Sequence, residues 1–373
     1  MDQKPPIPKG TRSKIINPAY DWARDFSVLH TLICDESVSE IMMNSYDQIF
    51  VERSGKILKS ELAFENVAVF NRVVQAIANL LGKELNIRHP HLDARLPDGS
   101  RINMVIPPLT LGSPILTIRR FSYRSLTPEL LIAKGSLDEK MAFFLKQAVI
   151  AKQNIIVSGG TGSGKTTLLN LLSSFIPKSE RVITLEDTPE LQLPVENLAR
   201  LICKDATGSD EAITIAGLLR NALRMRPARI VVGECRGEEA WDMLQAMNTG
   251  HEGSMTTLHA NSGFDASRGL EAMVLRACPE VPAGSIREDV SSTIDFVVQV
   301  ARYSDGSRRI SEIREIKEYK NALIESDQIF SYDKDGSFYS SGVIPKFAAN
   351  IGASGNKRFP NGFFDPRMKL KAS

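Results

Sequence analysis

The chain has 373 residues, 42% of them apolar and 24% charged, with a formal net charge of +2. That balance fits a soluble globular protein of two or three domains, and it is too mild to announce nucleic acid or anionic lipid as a ligand. The four cysteines, Cys34, Cys203, Cys235 and Cys278, are widely spaced and form no C-x-x-C pair, which argues against a disulfide framework or a four-cysteine zinc site and for a reducing compartment.

Residues 1–18 are rich in Pro and Lys, with few large apolar side chains, and are expected to form a flexible basic segment that does not pack. No apolar signal-peptide core follows, and Lys146 and Lys152 interrupt the best run of apolar residues. The expectation is therefore a cytoplasmic protein with no span of its own, reaching a membrane only through a partner.

Residues 19–120 mix helical and strand patterns and are expected to form a small α+β domain. Val69, Val73, Ala76, Ile77 and Leu80 recur at helical spacing over 66–81. Leu92, Ala94 and Leu96 alternate before the turn Pro97-Asp98-Gly99-Ser100, and Ile102, Met104 and Ile106 alternate after it. This is the pattern of a hairpin with one buried face. A short strand over 115–118 ends at Arg119-Arg120. The stretch 121–137, with Ser125, Pro128 and Gly135, reads as a linker.

From 138 to 373 the chain reads as one α/β domain. A helix is expected over 138–151, and strand-like runs then alternate with helical ones. The strand runs are 154–158, 181–185 and 230–233; the helical runs are 166–175, 214–224 and 238–247. Such alternation predicts a mostly parallel sheet with helices on both faces. Two hairpins follow, over 296–316 with its turn at Asp305-Gly306, and over 329–332 and 338 onward with its turn at Asp335-Gly336.

Gly159-Gly160-Thr161-Gly162-Ser163-Gly164-Lys165-Thr166 fits G-x-x-x-x-G-K-[ST] and lies between a buried strand run and a helical one. Glycines let backbone N–H groups turn toward phosphate oxygens, and the helix N-terminus adds its positive dipole. Residues Gly160 to Thr167 are the expected phosphate-binding set. Lys165 would reach the β- and γ-phosphates, and the Thr166 hydroxyl would ligate Mg²⁺. The bland alternative is a glycine-rich turn, against which the lysine and both flanking elements speak.

Two further strand runs end in carboxylates, 181–185 at Glu186-Asp187 and 229–233 at Glu234. Ligands of open α/β sheets sit at such ends. An ATPase needs one carboxylate to organise Mg²⁺ and another to orient or deprotonate water. Glu186 and Glu234 suit these tasks, and the sequence leaves open which does which.

With these motifs in place, residues of roughly 30–320 resemble the type II/IV secretion-superfamily ATPases. The resemblance is carried by Gly159–Thr166, by the acidic box Thr184-Leu185-Glu186-Asp187-Thr188-Pro189-Glu190, by Val231-Val232-Gly233-Glu234, and by the histidine box from Asn248 to Ser262. Arg95–Arg101 and Thr117–Phe121 look most like the Cpa/Tad-type pilus-assembly branch. The chain departs from the family pattern at Ala228, where Asp is usual, and at Cys235, where Val is usual. It also lacks the four-cysteine insertion of the type II secretion assembly branch.

The resemblance implies a RecA-like P-loop NTPase domain behind a smaller N-terminal domain, working as a homo-oligomeric, hexameric ring. It implies Mg-dependent ATP hydrolysis coupled to pilus assembly or protein secretion, with an integral inner-membrane platform protein as partner. Arg101 and Arg119 are then the candidates to reach the phosphates, while Arg224 and Arg226 match positions at the subunit boundary. His259 is the candidate phosphate sensor and His251 the residue that couples the site to movement. His251 and His259 lack the H-x-x-H or H-E-x-x-H spacing of a zinc site.

Three other readings compete. A conjugation or type IV secretion ATPase belongs to the same superfamily. A nucleic-acid translocase needs a basic channel, yet no basic run beyond Arg308-Arg309 and Lys369 to Lys371 stands out, so no direct nucleic-acid contact is expected. A nucleotide-gated scaffold would bind ATP without turning it over, against which the two acidic strand ends speak.

Overall fold

A computed structural model describes residues 18–53, 55–120, 127–204, 211–333, 335–351 and 358–366. The expected flexible segment falls, apart from Pro18, outside the described residues, as does 121–126 of the expected linker. The chain divides into two compact units between residues 124 and 125.

In the first unit a short 3₁₀ turn, Pro18–Ala23, precedes helix α1 (Val28–Ile33), strands β1 (Val38–Met43), β2 (Ile49–Arg53) and β3 (Lys56–Lys59), and helix α2 (Val67–Leu80). Strands β4 (His91–Arg95), β5 (Arg101–Val105) and β6 (Ile115–Arg119) follow. They form one antiparallel sheet in the order β3-β2-β1-β6-β5-β4. Helix α2 starts where Asn66 accepts from the Val69 amide at 3.0 Å, an N-cap that satisfies an otherwise orphaned donor. Its buried stripe, Phe70, Val73, Val74, Ile77 and Ala78, joins Ile41, Met43, Ile102, Met104, Leu116 and Ile118 of the sheet in one core. The alternating residues around Pro97–Ser100 form the β4–β5 hairpin, with Ala94 opposite Ile102.

The second unit begins with α3 (Pro128–Ala133), which occupies part of the stretch expected to be linker, and α4 (Glu139–Ile150). Strand β7 (Ile155–Gly159), helix α5 (Lys165–Ser173), strands β8 (Val182–Glu186) and β9 (Leu198–Ile202), α6 (Ile215–Ala222) and β10 (Arg229–Val232) come next. Then follow α7 (Glu239–Asn248), β11 (Met255–Leu258), α8 (Gly263–Ala277), α9 (Ala283–Thr293), and strands β12 (Phe296–Arg302), β13 (Arg308–Lys320), β14 (Leu323–Tyr332) and β15 (Phe338–Ser340), ending with α10 (Lys346–Asn350).

The sheet order is β15-β14-β13-β12-β7-β11-β10-β8-β9. The run from β12 to β9 is parallel throughout, and β13 to β15 extend it antiparallel. Buried residues of α4 and α5 fill one face, and those of α6 to α9 fill the other. The fold is thus α/β with helices on both faces of a mostly parallel sheet. Strands β7, β8 and β10 are buried along their whole length, as parallel strands covered on both sides must be.

The expected third hairpin forms, β14 pairing with β15 across the turn at Asp335-Gly336. The structure adds one the sequence reading does not contain: β14 begins at Leu323 and pairs with β13 across a two-residue turn at Asn321-Ala322. Both turn residues have positive φ, 51° and 63°, as a tight hairpin turn requires. Alanine carries no signal for that conformation, so the turn is hidden in the sequence.

Candidate nucleotide site

Strands β7, β11, β10 and β8 all point the same way, so the residues that follow them gather at one edge of the sheet. The loop 160–164 leaves β7 there and enters α5. Two glycines flanking this turn are demanded by geometry, one by close approach and one by its backbone angle. A Cβ on Gly159 would stand 2.4 Å from the Val300 carbonyl and 2.5 Å from the Ser163 hydroxyl. Gly164, the first residue before α5, has φ of 100°, in a region that side chains rarely enter.

Lys165 opens α5 and folds back over the loop. Its ammonium donates to the Gly159 carbonyl at 3.1 Å and the Gly160 carbonyl at 3.2 Å. It lies 3.4 and 3.3 Å from the ring nitrogens of His259 and 3.8 Å from Glu234 Oε1. Burial pulls the Lys165 ammonium below its usual range and Arg236 adds to that, while Glu234 opposes it. Thr166 and Thr167 lie half-buried in the first turn of α5.

Glu234 follows β10 after Gly233, and its side chain is 16% exposed. Its Oε1 lies 2.7 Å from His259 Nε2. Its Oε2 accepts from Arg236 Nε at 2.6 Å and also faces the Arg236 Nη2. His259 follows β11 and is half exposed. Lys165, Glu234 and His259 thus meet at the ends of three neighbouring strands, a compact set able to hold a phosphate and a water.

Glu186 ends β8 in different surroundings. Its side chain is buried, and Oε1 accepts from the amides of Glu190 and Leu191 at 2.7 and 2.8 Å. Arg200 lies 3.7 Å from Oε2. Burial raises the Glu186 carboxyl above its usual range, against the pull of those two amides and of Arg200. In this geometry Glu186 organises the turn of the acidic box, whereas Glu234 faces the phosphate loop.

Three expected residues of the second unit are not brought to this cluster. His251 precedes β11, with Nδ1 3.2 Å from the Ala246 carbonyl. It lies beyond the opposite end of a four-residue strand from His259, a span of at least about 13 Å at the rise of an extended chain. Arg224 and Arg226 are exposed in the loop before β10, at that same far edge. Arg224 donates to the Arg220 carbonyl. Arg101 and Arg119 belong to the first unit, where they face each other across β5 and β6, with Glu40 next in the row.

The structure adds residues that were not singled out. Gln299, the lone polar residue in the run Phe296–Val300, accepts from the Ser158 hydroxyl at 2.5 Å and donates to the Ala260 carbonyl at 3.2 Å. It ties β12 both to the strand feeding the loop and to the chain after His259. Arg236 was legible only as a basic residue two places beyond Glu234. At the far edge Arg229 is fully buried, bonded to both Glu180 oxygens at 2.6 and 3.0 Å and to the Val149 carbonyl.

The sequence pattern of the family described as "Type II/IV secretion system protein" matches residues 23–333. The chain belongs to this family of secretion-system ATPases. It is similar to the conjugal transfer protein TrbB of Rhizobium radiobacter, 33% identical over 81% of this chain and 90% of that protein. It is 44% identical to an uncharacterised protein of Methanocaldococcus jannaschii over 61% of this chain, a match spanning only 33% of that longer protein. Among solved structures, the fold is shared with the ATPase DotB of Legionella pneumophila at a TM-score of 0.54 and 20% identity, over 83% of this chain and 80% of that one. Among the described residues no helix is long and apolar enough to cross a membrane.

Proposed function

We propose that this site binds and hydrolyses Mg·ATP and that the chain is the motor of a pilus-assembly or protein-secretion machine at a bacterial inner membrane. The observation that carries the reading is the convergence of Lys165, Glu234 and His259 on the phosphate loop. The Lys165 ammonium rests on two loop carbonyls and near Glu234. A triphosphate would draw that ammonium away, since phosphate oxygens are the stronger partner. Glu234, freed of the lysine, then orients water for attack on the γ-phosphate, with Arg236 fixing its other oxygen and His259 reading the phosphate.

The Thr166 hydroxyl and Glu234, the latter through water, are the residues that would hold Mg²⁺. A hydroxyl and one carboxylate beside phosphate oxygens match the hard oxygen set this ion takes. When bound, the ion neutralises phosphate charge during transfer.

A hexameric ring gives roles to the remaining expected residues. Arg224, Arg226 and His251, on the far edge of the sheet, would serve a subunit boundary. Arg101 and Arg119 would bring the N-terminal unit onto the nucleotide, and release of phosphate would let it reopen as the working stroke. An integral membrane platform protein would receive that motion, with the chain itself held at the cytoplasmic face and touching no nucleic acid. The Cpa/Tad-type branch rests on the Arg95–Arg101 and Thr117–Phe121 motifs. The likeness to TrbB favours a second reading, a conjugation or type IV secretion ATPase of the same family.

The test is Mg²⁺-dependent ATP turnover per protomer across a wide range of protein concentration. A rate that climbs steeply with concentration is expected if neighbours complete each site. A flat, substantial rate would remove the ring from the proposal, and no turnover at any concentration would leave a nucleotide-gated scaffold.

A further inference from the structure

Arg308 and Arg309 read in the sequence as a short basic run. The structure sends them to opposite faces of β13, as successive strand residues must be. The Arg309 guanidinium lies over the paired rings of Tyr303 and Tyr332, 5.1 and 5.0 Å from their centroids, and donates to Asp305 at 2.9 Å. Asp305 also accepts from the Ser307 amide at 2.8 Å, closing the β12–β13 turn. With Arg309 anchored on one face, Arg308 is committed to the other, where its Nε donates to the Gly162 carbonyl at 2.8 Å. Its stem lies so close over the start of α5 that a Cβ on Gly164 would stand 3.3 Å from Arg308 Cδ.

We propose that Arg308 is a positioning residue of the phosphate loop, supplied by the β12–β13 hairpin, which clamps the loop from outside in the shape that receives phosphate. The inference rests on the nucleotide reading of the site. The peptide between Gly162 and Ser163 is planar, so holding its carbonyl fixes the plane of its N–H as well. That N–H closes a turn on the Gly160 carbonyl at 3.3 Å. A loop with three glycines among residues 160–164 has many alternative backbone shapes, and ordering them on binding costs affinity. A charge-assisted hydrogen bond to the loop's outer side removes much of that freedom beforehand. Because the clamp acts on the loop and not on the reacting atoms, it serves ground and transition states alike. Its loss should raise KM and leave kcat nearly unchanged.

The experiment compares the full-length wild type with Arg308→Ala and Arg308→Lys. Calorimetric binding of ATP and of ADP is measured alongside KM, kcat and Tm. Arg308→Ala is expected to weaken both nucleotides about 5- to 30-fold, the effect of one such hydrogen bond. KM should rise in step, with kcat at saturation and Tm close to wild type. Arg308→Lys should recover most of the affinity, since its ammonium can still reach the carbonyl. Wild-type affinity in Arg308→Ala overturns the clamp, and so does a loss that appears in both variants together with a fallen Tm, which would mark a purely structural residue. If the wild type itself binds neither ATP nor ADP, the nucleotide reading fails first and the clamp with it.

Discussion

His259 Nε2 and Glu234 Oε1 stand 2.7 Å apart at the ends of adjacent strands, and the Lys165 ammonium lies beside both. Three groups from three separate stretches of chain therefore share one small volume at the mouth of the phosphate loop. That relationship ties the proposed catalytic roles together and makes each separately testable.

Lys165→Ala should abolish measurable binding of ATP and its turnover. The ammonium bridges two loop carbonyls and Glu234, and its removal takes from the loop a positive charge that would pair with phosphate. Equilibrium binding of ATP and of ADP is the measurement. Normal turnover in this variant would refute the phosphate-loop assignment.

Glu234→Gln keeps the shape of the side chain and removes its charge and basicity. ATP should remain bound while turnover falls about 10²- to 10⁴-fold, the range lost with a general base. Single-turnover assays separate the two effects. Turnover within a few-fold of wild type would pass the role to Glu186, despite that carboxylate's engagement with the Glu190 and Leu191 amides.

Arg119 is exposed at the end of β6, opposite Arg101. Its neighbour Arg120 instead donates to the Val38 carbonyl at 2.8 Å and to the Tyr20 hydroxyl at 2.9 Å. Arg119→Ala should lower turnover by an order of magnitude or more with Tm nearly unmoved, as for an arginine that meets phosphate. A fallen Tm with unchanged specific activity would make it a structural residue.

Asp295, just before β12, accepts from the Asn154 amide at 2.7 Å. Burial lifts its carboxyl to about 6, helped by the negative charges of Glu315 and Glu252 and opposed by the Asn154 amide and Lys346. A folded-state pKa above the unfolded one means that this group's stabilisation is whole below about pH 4 and is lost as pH rises through about 6. Asp295→Asn, which keeps an acceptor for that amide, should therefore gain up to about 3 kcal/mol at pH 8 and nothing near pH 4. Thermal melts of both proteins across this range decide it, and equal Tm differences at both ends would discount the titration.

Much of the nucleotide site was legible because its parts are local. The loop 159–166 carries its glycines, lysine and threonine in one run. Helix α2 and the β4–β5 hairpin are legible from periodicity and turn residues, since one face of each is buried, but the buried stripe of α2 is turned from the expected face: it takes in Phe70, Val74 and Ala78 and leaves Leu80 exposed. The turn at Asn321-Ala322 was not legible, because alanine seldom takes the positive φ observed there. Gln299 was passed over because a single polar residue inside an apolar strand shows its purpose only when its neighbours are known. The pairs Arg119-Arg120 and Arg308-Arg309 each looked uniform in sequence, yet each is divided between an anchored arginine and one directed elsewhere.

By itself the sequence determined the α/β class, the phosphate loop and the acidic strand ends, because periodicity, glycine placement and strand termini are properties of contiguous residues. Only the tertiary structure separated Glu234 from Glu186, set His251 at the opposite edge from His259, and laid Arg308 on the Gly162 carbonyl. Strand order and register bring together residues dozens of positions apart, and side-chain partners follow from that folding in space, which no local pattern encodes.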